Sequence, residues 1–127
     1  MEGEQRDHLV ARVLCGAKTM TSGLLVHLRM DGEDLPLPGQ RYALVDSTGV
    51  RGAVELTEVR LVRLRDVGDD VARGEGEDLV DAAHWRAVHE AFWAPWNAEV
   101  ARHLGADRWA PGDDDVVVEV FRVLAAG

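Results

Sequence analysis

Lys18 stands out chemically because it is the only lysine among the 14 basic residues of the chain, the rest of which are arginines. Arginine stays charged in proteins, whereas a lysine amine can lose its proton when it is desolvated and can then act as a base or a nucleophile. A lysine retained against this arginine bias indicates a site where a guanidinium cannot substitute. One lysine can also remain by chance, and composition alone does not separate the two readings.

Three hydroxyl side chains follow Lys18 closely in the sequence, on Thr19, Thr21 and Ser22. A neutral lysine amine can take the proton of a neighbouring hydroxyl and so convert it into a nucleophile. Hydroxyl residues that follow a helix also serve as turn and capping residues. Spacing alone favours this structural role.

Glu75 and Glu77 are a second candidate set, since they flank Gly76, a residue that lets the backbone turn tightly and present a carboxylate. Two neighbouring carboxyl groups can share acid–base work. They also belong to an acidic stretch, residues 69–81, of the kind that covers a solvated surface. From the residues alone, the solvated surface is the favoured interpretation.

An aromatic stripe is predicted on one helix face, because Trp85, His89, Phe92 and Trp96 fall within about 60° on a helix of 3.6 residues per turn. Such a stripe can stack a nucleobase. Packing against a sheet is the more common use and is favoured here, with His89 as the polar exception.

No metal site is predicted from the remaining histidine and cysteine residues. His84 and His89 are five positions apart and do not share a helix face. Cys15 with a histidine is formally a nucleophile–base pair, but its apolar neighbours predict that Cys15 is a core residue. Cys15 is also the only cysteine, which excludes a disulfide framework and a cysteine metal cluster. We expect no cofactor.

The segment that carries Lys18 follows a predicted helix over residues 6–15. Apolar residues recur on one face of this helix, Asp7 is a plausible N-cap, and Gly16 stands where a glycine would end it. Residues 18–22 then form a polar segment that is held by the helix yet free to face a cleft.

Among the other predicted elements, strands flank a helical insertion, which is an α+β pattern. Apolar phase changes inside the strand 50–64 indicate bulges that curve a sheet toward a barrel. The last predicted strand carries apolar side chains on both of its faces, except at Glu119 and Arg122. Such a pattern is typical of a central strand. Strands are predicted over 24–28, 42–45, 50–64 and 116–124, helices over 66–74, 79–94 and from Pro95 to Leu104, loops over 31–39 and 110–115, and a type I turn over 46–49.

Length and composition predict one cytoplasmic domain over residues 1–127. A chain of 127 residues fits a single core. No apolar run approaches the roughly 20 residues that span a bilayer, so no membrane contact is expected. The acidic N-terminus lacks the basic and apolar regions of a signal peptide. The sequence carries no signal of oligomeric state.

The formal net charge of −9 disfavours strong binding to duplex DNA or any other polyanion. One stretch from Arg51 to Arg65 is locally positive and could contact phosphate. A solvated strand face is the favoured interpretation of that stretch. Any nucleic-acid contact is expected to be local, or to a nucleoside.

Six segments in order, spanning residues 8 to 124, resemble the ASCH domain family, whose fold is related to the PUA RNA-binding domain. The segments are Gly16-Ala17-Lys18-Thr19-Met20-Thr21, Leu35-Pro36-Leu37-Pro38-Gly39, Leu56-Thr57-Glu58-Val59, Ala72-Arg73-Gly74-Glu75-Gly76-Glu77, Trp85-Arg86-Ala87-Val88-His89 with Phe92, and Glu119-Val120-Phe121-Arg122-Val123.

The resemblance implies a PUA-like curved β-barrel, with helices closing a cleft, and a nucleoside or RNA-related ligand. One bacterial branch of the family contains acetylcytidine amidohydrolases. At the positions of this chain that match that branch, the resemblance implies that Lys18 is the proton acceptor, Thr21 the nucleophile and Glu77 the proton donor. Ligand-binding roles are expected for the neighbouring residues Thr19, Ser22, Glu75 and His89.

Two alternatives stay open, a non-catalytic RNA- or nucleotide-binding module and a ribonuclease, of which the negative charge disfavours the second. This chain is also longer than the smallest amidohydrolases, because it carries the aromatic helix and a loop with Trp109, and the substrate is therefore open. Catalysis requires a neutral Lys18 and a protonated Glu77, whereas a close pair favours the charged forms of both. The mechanism therefore predicts a cleft that excludes water.

Overall fold

Four antiparallel strands form one sheet in the computed structural model, which describes residues 3–79 and 81–124 of the chain. The strands are β1 (Met20–Leu24), β2 (Arg41–Asp46), β3 (Gly49–Arg63) and β4 (Asp115–Val123). Their spatial order is β1-β4-β3-β2, so the last strand of the sequence is central, as predicted.

The sheet is curved by two irregularities in its hydrogen-bond register. One lies between Leu56 and Glu58 where β3 meets β4, and the other between Leu44 and Val45 where β2 meets β3. Bulges of this kind bend a strand and increase its twist. The sheet curls into a half-barrel with helices against it, which confirms the predicted α+β class and the predicted curvature.

Five α-helices and three short 3₁₀ turns accompany the sheet in the described part of the chain. Pro95 lies in a short 3₁₀ turn, Ala94–Trp96, between the fourth and the fifth helix, and a proline is tolerated in such a first turn because its missing N–H has no helical partner there. None of the described helices is both long and apolar enough to cross a membrane. The helices are α1 (Gly3–Leu14), α2 (Leu25–Met30), α3 (Asp69–Glu75), α4 (Ala82–Trp93) and α5 (Asn97–Leu104).

The two faces of β4 pack against different partners because side chains alternate along a strand. Val116 and Val118 are fully buried in the larger core, which the helices cover and which includes Trp85. On the other face, Phe121 joins a smaller cluster with Val13 of α1. The side chains of this second face also line the cleft described below.

The predicted strand over 24–28 is wrong. β1 ends at Leu24, and the following residues form α2, with Leu25 and Val26 buried. A short apolar run cannot be assigned to helix or strand by periodicity alone, because it is too short to show either period.

Two predicted roles near α1 are also wrong. Asp7 lies inside the helix and accepts hydrogen bonds from the backbone N–H and the hydroxyl of Ser47 instead of capping the helix. Cys15 is exposed, since it follows the last helical residue and leaves the buried face that carries Val10 and Val13.

The aromatic stripe packs only in part. Trp85 is fully buried, but Phe92 and Trp96 are 62% and 39% exposed, respectively. Trp93, which the stripe did not include, supplies the second buried ring of α4. The apolar face of the helix is therefore rotated from the predicted one.

Candidate functional site

The segment that carries Lys18 is held between the end of α1 and the end of α3. Gly16 has φ +84°, a left-handed conformation that ends the helix. The backbone N–H of Lys18 donates to Arg12 O at 3.0 Å, and that of Thr19 donates to Gly74 O at 2.7 Å. Lys18 is therefore fixed by its backbone on both sides.

Gly76 permits the close approach of α3 to this segment. It ends α3 with φ +63°, and a Cβ added there would lie 2.2 Å from Ala17 O, closer than any side chain could fit. Arg12 Nη1 donates to Gly76 O at 2.8 Å and ties the same point to α1. The contact places the two flanking glutamates beside Lys18.

The Lys18 amine is enclosed by these two glutamates. Its Nζ donates to the backbone oxygen of Glu75 at 3.1 Å and lies 3.8 Å from Oε1 of Glu77. The side chain of Lys18 is 8% exposed, whereas that of Glu77 is 35% exposed. The structure thus brings together the residues expected to be proton acceptor and proton donor.

The carboxylate of Glu75 belongs to a buried chain of polar groups behind this pair. Ser22 Oγ donates to its Oε1, and His89 Nε2 lies 3.5 Å from its Oε2. Burial alone would raise the pKa of Glu75, but the hydrogen bonds from His89 and Ser22 and the charges of Lys18 and His89 lower it below its ordinary value. Glu75 is therefore held as an anion.

The chain continues from His89 to the backbone of α4. His89 Nδ1 lies 2.9 Å from Trp85 O, and the His89 ring stacks on that of Trp85 at a centroid distance of 3.9 Å. Since a carbonyl oxygen only accepts, Nδ1 carries a hydrogen in this arrangement. The buried part of the aromatic stripe therefore orients His89 toward Glu75.

A cleft of about 610 Å³ opens on the other side of Lys18. Thr21 and Ser22 of β1 line it together with Lys18, and Tyr42 and Phe121 add aromatic surface. A volume of this size and a mostly apolar lining with a few polar groups are typical of small-molecule sites.

Glu119 of β4 is a cleft residue to which sequence reasoning gave no role. It is the cross-strand neighbour of Thr21, so the two side chains lie side by side on one face of the sheet. Burial raises the pKa of Glu119 above its ordinary value. The available signal was a single carboxyl group inside an otherwise apolar stretch of the central strand.

The predicted site residues thus fall into three places. Lys18, Thr21 and Ser22 line the cleft, and Glu77 lies against the Lys18 amine. Glu75 and His89 lie behind the cleft wall, and Thr19 is exposed and outside the lining. Within residues 3–79 and 81–124, no group of three or more histidine, cysteine or acidic side chains could hold a metal ion.

Comparison with known protein families identifies the family of the chain. The family model of the ASCH domain matches residues 1–125. The chain belongs to the ASCH domain family. A search of curated proteins found no match.

Solved structures share the fold of this ASCH protein. An ASCH domain from Lactobacillus crispatus JV V101 superimposes with a TM-score of 0.78 and 24% identity, over 97% of this chain and 74% of that one. A protein from Enterococcus faecalis V583 gives a TM-score of 0.71 and 25% identity, over 92% of this chain and 67% of that one. The ASCH fold is PUA-like, and PUA-like folds are associated with RNA binding.

The arginines of the locally positive stretch 51–65 of this ASCH protein form ion pairs with carboxylates of the same chain. Arg60 contacts Glu58 at 2.8 Å and Asp70 at 2.7 Å, and Arg63 lies 4.0 Å from Asp115. The arginines at the two ends of the stretch also form ion pairs. These contacts neutralise much of the positive charge that a phosphate backbone would need.

Proposed function

We propose that this ASCH protein is a hydrolase of the amidohydrolase type that acts on a modified nucleoside or a related RNA-derived ligand. The observation that carries the proposal is the buried residue Lys18, whose amine lies 3.8 Å from Glu77 Oε1 and which lines the same cleft as Thr21. Amide cleavage through an acyl-enzyme needs a nucleophile, a base and an acid. Thr21, Lys18 and Glu77 supply these three groups.

In the proposed reaction, Thr21 Oγ attacks the carbonyl carbon of the ligand's amide while its proton passes to Lys18 Nζ. The C–N bond breaks as Glu77 donates a proton to the leaving nitrogen, and the acyl group stays on Thr21 as an ester. Lys18 then returns its proton to Glu77 and activates a water molecule that hydrolyses the ester. The products are the free amine and a carboxylic acid, and the three side chains return to their starting states.

The Lys18–Glu77 ion pair and the neutral pair that the reaction needs contain the same number of protons. Transfer of one proton from Nζ to Oε1 converts one pair into the other. Lys18 is already buried, whereas Glu77 is 35% exposed and solvated. The proposal requires a bound ligand to exclude water from this pair, because low dielectric disfavours charged groups.

The proposal is tested by incubating the protein with a panel of acylated nucleosides and measuring the acid released. Thr21→Val removes the nucleophile at nearly constant volume and should lower turnover by at least about a thousandfold. Thr48→Val removes an exposed hydroxyl from the hairpin turn between β2 and β3 and should keep wild-type turnover. Equal turnover by wild type and Thr21→Val would refute the proposed nucleophile.

A non-catalytic nucleoside- or RNA-binding module is the second candidate. It is favoured by the Lys18 amine being engaged by Glu75 O and Glu77, a geometry that suits a charged lysine. This candidate predicts that the nucleosides of the same panel bind and that no acid is released. Acid release by the wild type would exclude it.

A further inference from the structure

Arg12 of α1 contacts the two backbone segments that carry Lys18 and Glu77. Its carbonyl oxygen accepts a hydrogen bond from the backbone N–H of Lys18 at 3.0 Å. Its guanidinium donates to Gly76 O at 2.8 Å and to the carboxylate of Asp78 at 3.0 and 3.3 Å. Gly76 and Asp78 are the two chain neighbours of Glu77. One residue therefore links the segments of both partners in the Lys18–Glu77 ion pair.

Asp78 has an unusual backbone conformation beside Glu77. Its φ is +63°, the only positive value at a residue other than glycine within residues 3–79 and 81–124. A left-handed conformation costs free energy in a residue with a Cβ, although aspartate adopts it more often than most. Such strained residues persist where surrounding contacts hold them, and they are concentrated at functional sites. The bidentate ion pair with Arg12 is a contact of that kind.

The position of the Glu77 carboxylate depends on the backbone that carries it. Among the described residues, this carboxylate forms a polar contact only with the Lys18 amine, at 3.8 Å. That distance is beyond hydrogen-bond range, whereas proton transfer requires the two groups to come within it. A small displacement of Glu77 therefore decides whether a proton can pass, and Arg12 fixes the residue on either side of Glu77.

The Arg12–Asp78 ion pair is suited to positioning more than to stabilisation. The side chain of Asp78 is 81% exposed, and exposed ion pairs add little to the free energy of unfolding. A bidentate pair nevertheless fixes orientation as well as distance. In an enzyme site, a displacement of about 1 Å can lower the rate about a hundredfold.

We propose that Arg12 is a positioning residue for the Lys18–Glu77 pair. A guanidinium is a rigid planar fork that can bind a carbonyl oxygen and a carboxylate at the same time. The expected effect of Arg12 on turnover rests on the proposed function. Its effect on the geometry of the pair does not, and the two effects are measured separately.

Two variants remove the contact without adding a second lysine to the chain. Arg12→Met keeps a long unbranched side chain and removes its donors. Asp78→Asn removes the charge at a position where asparagine tolerates the left-handed conformation. In the acylated-nucleoside assay, each variant should lower kcat at least about tenfold and leave KM within about twofold. The cleft lining includes neither Arg12 nor Asp78, so ligand binding should be preserved.

A second readout needs no turnover, because Lys18 is the only lysine in the chain. A limiting amount of acetic anhydride acetylates Lys18 and the N-terminal amine, and mass spectrometry gives the ratio of the two rates. The Lys18 side chain is 8% exposed and is protected by its contacts. Both variants should raise this acetylation ratio at least about threefold, because the segment opens more often without the contact.

Arg65→Met is the matched control. Arg65 makes the same kind of contact away from the cleft, to Gly112 O at 3.3 Å and to the carboxylate of Asp113 at 2.6 Å. Arg65→Met should therefore keep the wild-type kcat and the wild-type acetylation ratio.

An unchanged acetylation ratio in both variants would overturn the inference, as would equal changes in Arg12→Met and Arg65→Met. An active wild type whose kcat is retained in both variants would also overturn it. A wild type that releases no acid would refute the hydrolase proposal, while a raised ratio in the two variants would still support the positioning role of Arg12. Asp78→Asn, at an exposed position, decides the outcome if Arg12→Met does not fold.

Discussion

Two glutamates on either side of Gly76 have different environments, and the difference decides what each can contribute. Glu75 is 3% exposed and is bonded to Ser22 and His89. The Glu77 carboxylate is partly exposed and contacts the Lys18 amine. Glu75 therefore belongs to the structural support of the site, whereas Glu77 is free to exchange protons.

This difference predicts that a glutamate-to-glutamine substitution affects stability at Glu75 and turnover at Glu77. Glu75→Gln should lower the free energy of unfolding by about 3 kcal/mol, because removal of one charge leaves its buried partners uncompensated. Glu77→Gln should change it by less than about 1 kcal/mol, as expected for a partly exposed pair, yet should abolish turnover. Urea denaturation and acid release, measured on both variants, check the two effects. A Glu77→Gln variant with wild-type turnover would contradict the assignment.

Glu119 predicts a pH dependence of stability with a definite sign. Its pKa is raised by burial from an ordinary value of 4.5, so the folded state binds the proton more tightly than the unfolded state. Glu119 therefore costs the wild type no stability below pH 4.5. The free energy of unfolding falls as the pH rises through the pKa of Glu119 in the folded state. The melting temperature of Glu119→Gln relative to wild type should be higher at neutral pH than at pH 4.

The comparison isolates Glu119 because the other titratable groups that line the cleft, Lys18, Glu33, Asp34 and Tyr42, are present in both proteins. Glu75, whose pKa is lowered, contributes with the opposite sign, and its contribution also cancels. A melting-temperature difference that is constant between pH 4 and neutral pH would show that Glu119 has the same pKa folded and unfolded.

Among the elements, the contact between α3 and the Lys18 segment depends on a glycine. Gly76→Ala should lower the free energy of unfolding by about 3 kcal/mol or more, since the added Cβ must displace Ala17 O as well as adopt a left-handed conformation. Gly105→Ala is the matched control: Gly105 ends α5 with φ +68° and has no atom within 4 Å of the added Cβ. The control should cost only about 1–2 kcal/mol. Equal losses in urea denaturation would show that the contact is not tight.

Several elements follow from sequence pattern alone. β3, β4, α1 and α4 have long periodic segments, and the pattern locates each to within a few residues. The pattern did not predict the strand β1 or the helix α2, because each has six residues or fewer and neither shows a full period. Short elements take their conformation from the sheet and the core that they join.

Some residues of the candidate site could be predicted from the sequence, and others could not. The lone lysine pointed to Lys18, and the ASCH resemblance supplied its pairing with Glu77. Neither could identify Glu119, because its position beside Thr21 depends on the register between β1 and β4, strands from opposite ends of the chain. Register between distant strands is set by the whole fold and has no local signal.

For the whole molecule, the net charge of −9 and the paired arginines of β3 predict weak contact with long nucleic acids. Binding to single-stranded RNA between about 50 and 200 mM salt should show a logarithmic slope below about 2 in magnitude, since few phosphates can be neutralised. Arg60→Glu with Arg63→Glu should leave nucleoside binding unchanged. A steep salt slope that this double variant removes would favour an RNA-binding surface instead.

The most direct test of the proposed function is release of acid from acylated nucleosides by the wild type and by Lys18→Arg. Arginine keeps the positive charge of Lys18 but cannot become the neutral base that the reaction requires. The proposed mechanism predicts turnover by the wild type, no detectable turnover by Lys18→Arg, and cooperative unfolding of both proteins. Wild-type turnover in Lys18→Arg would contradict the central role of this lysine.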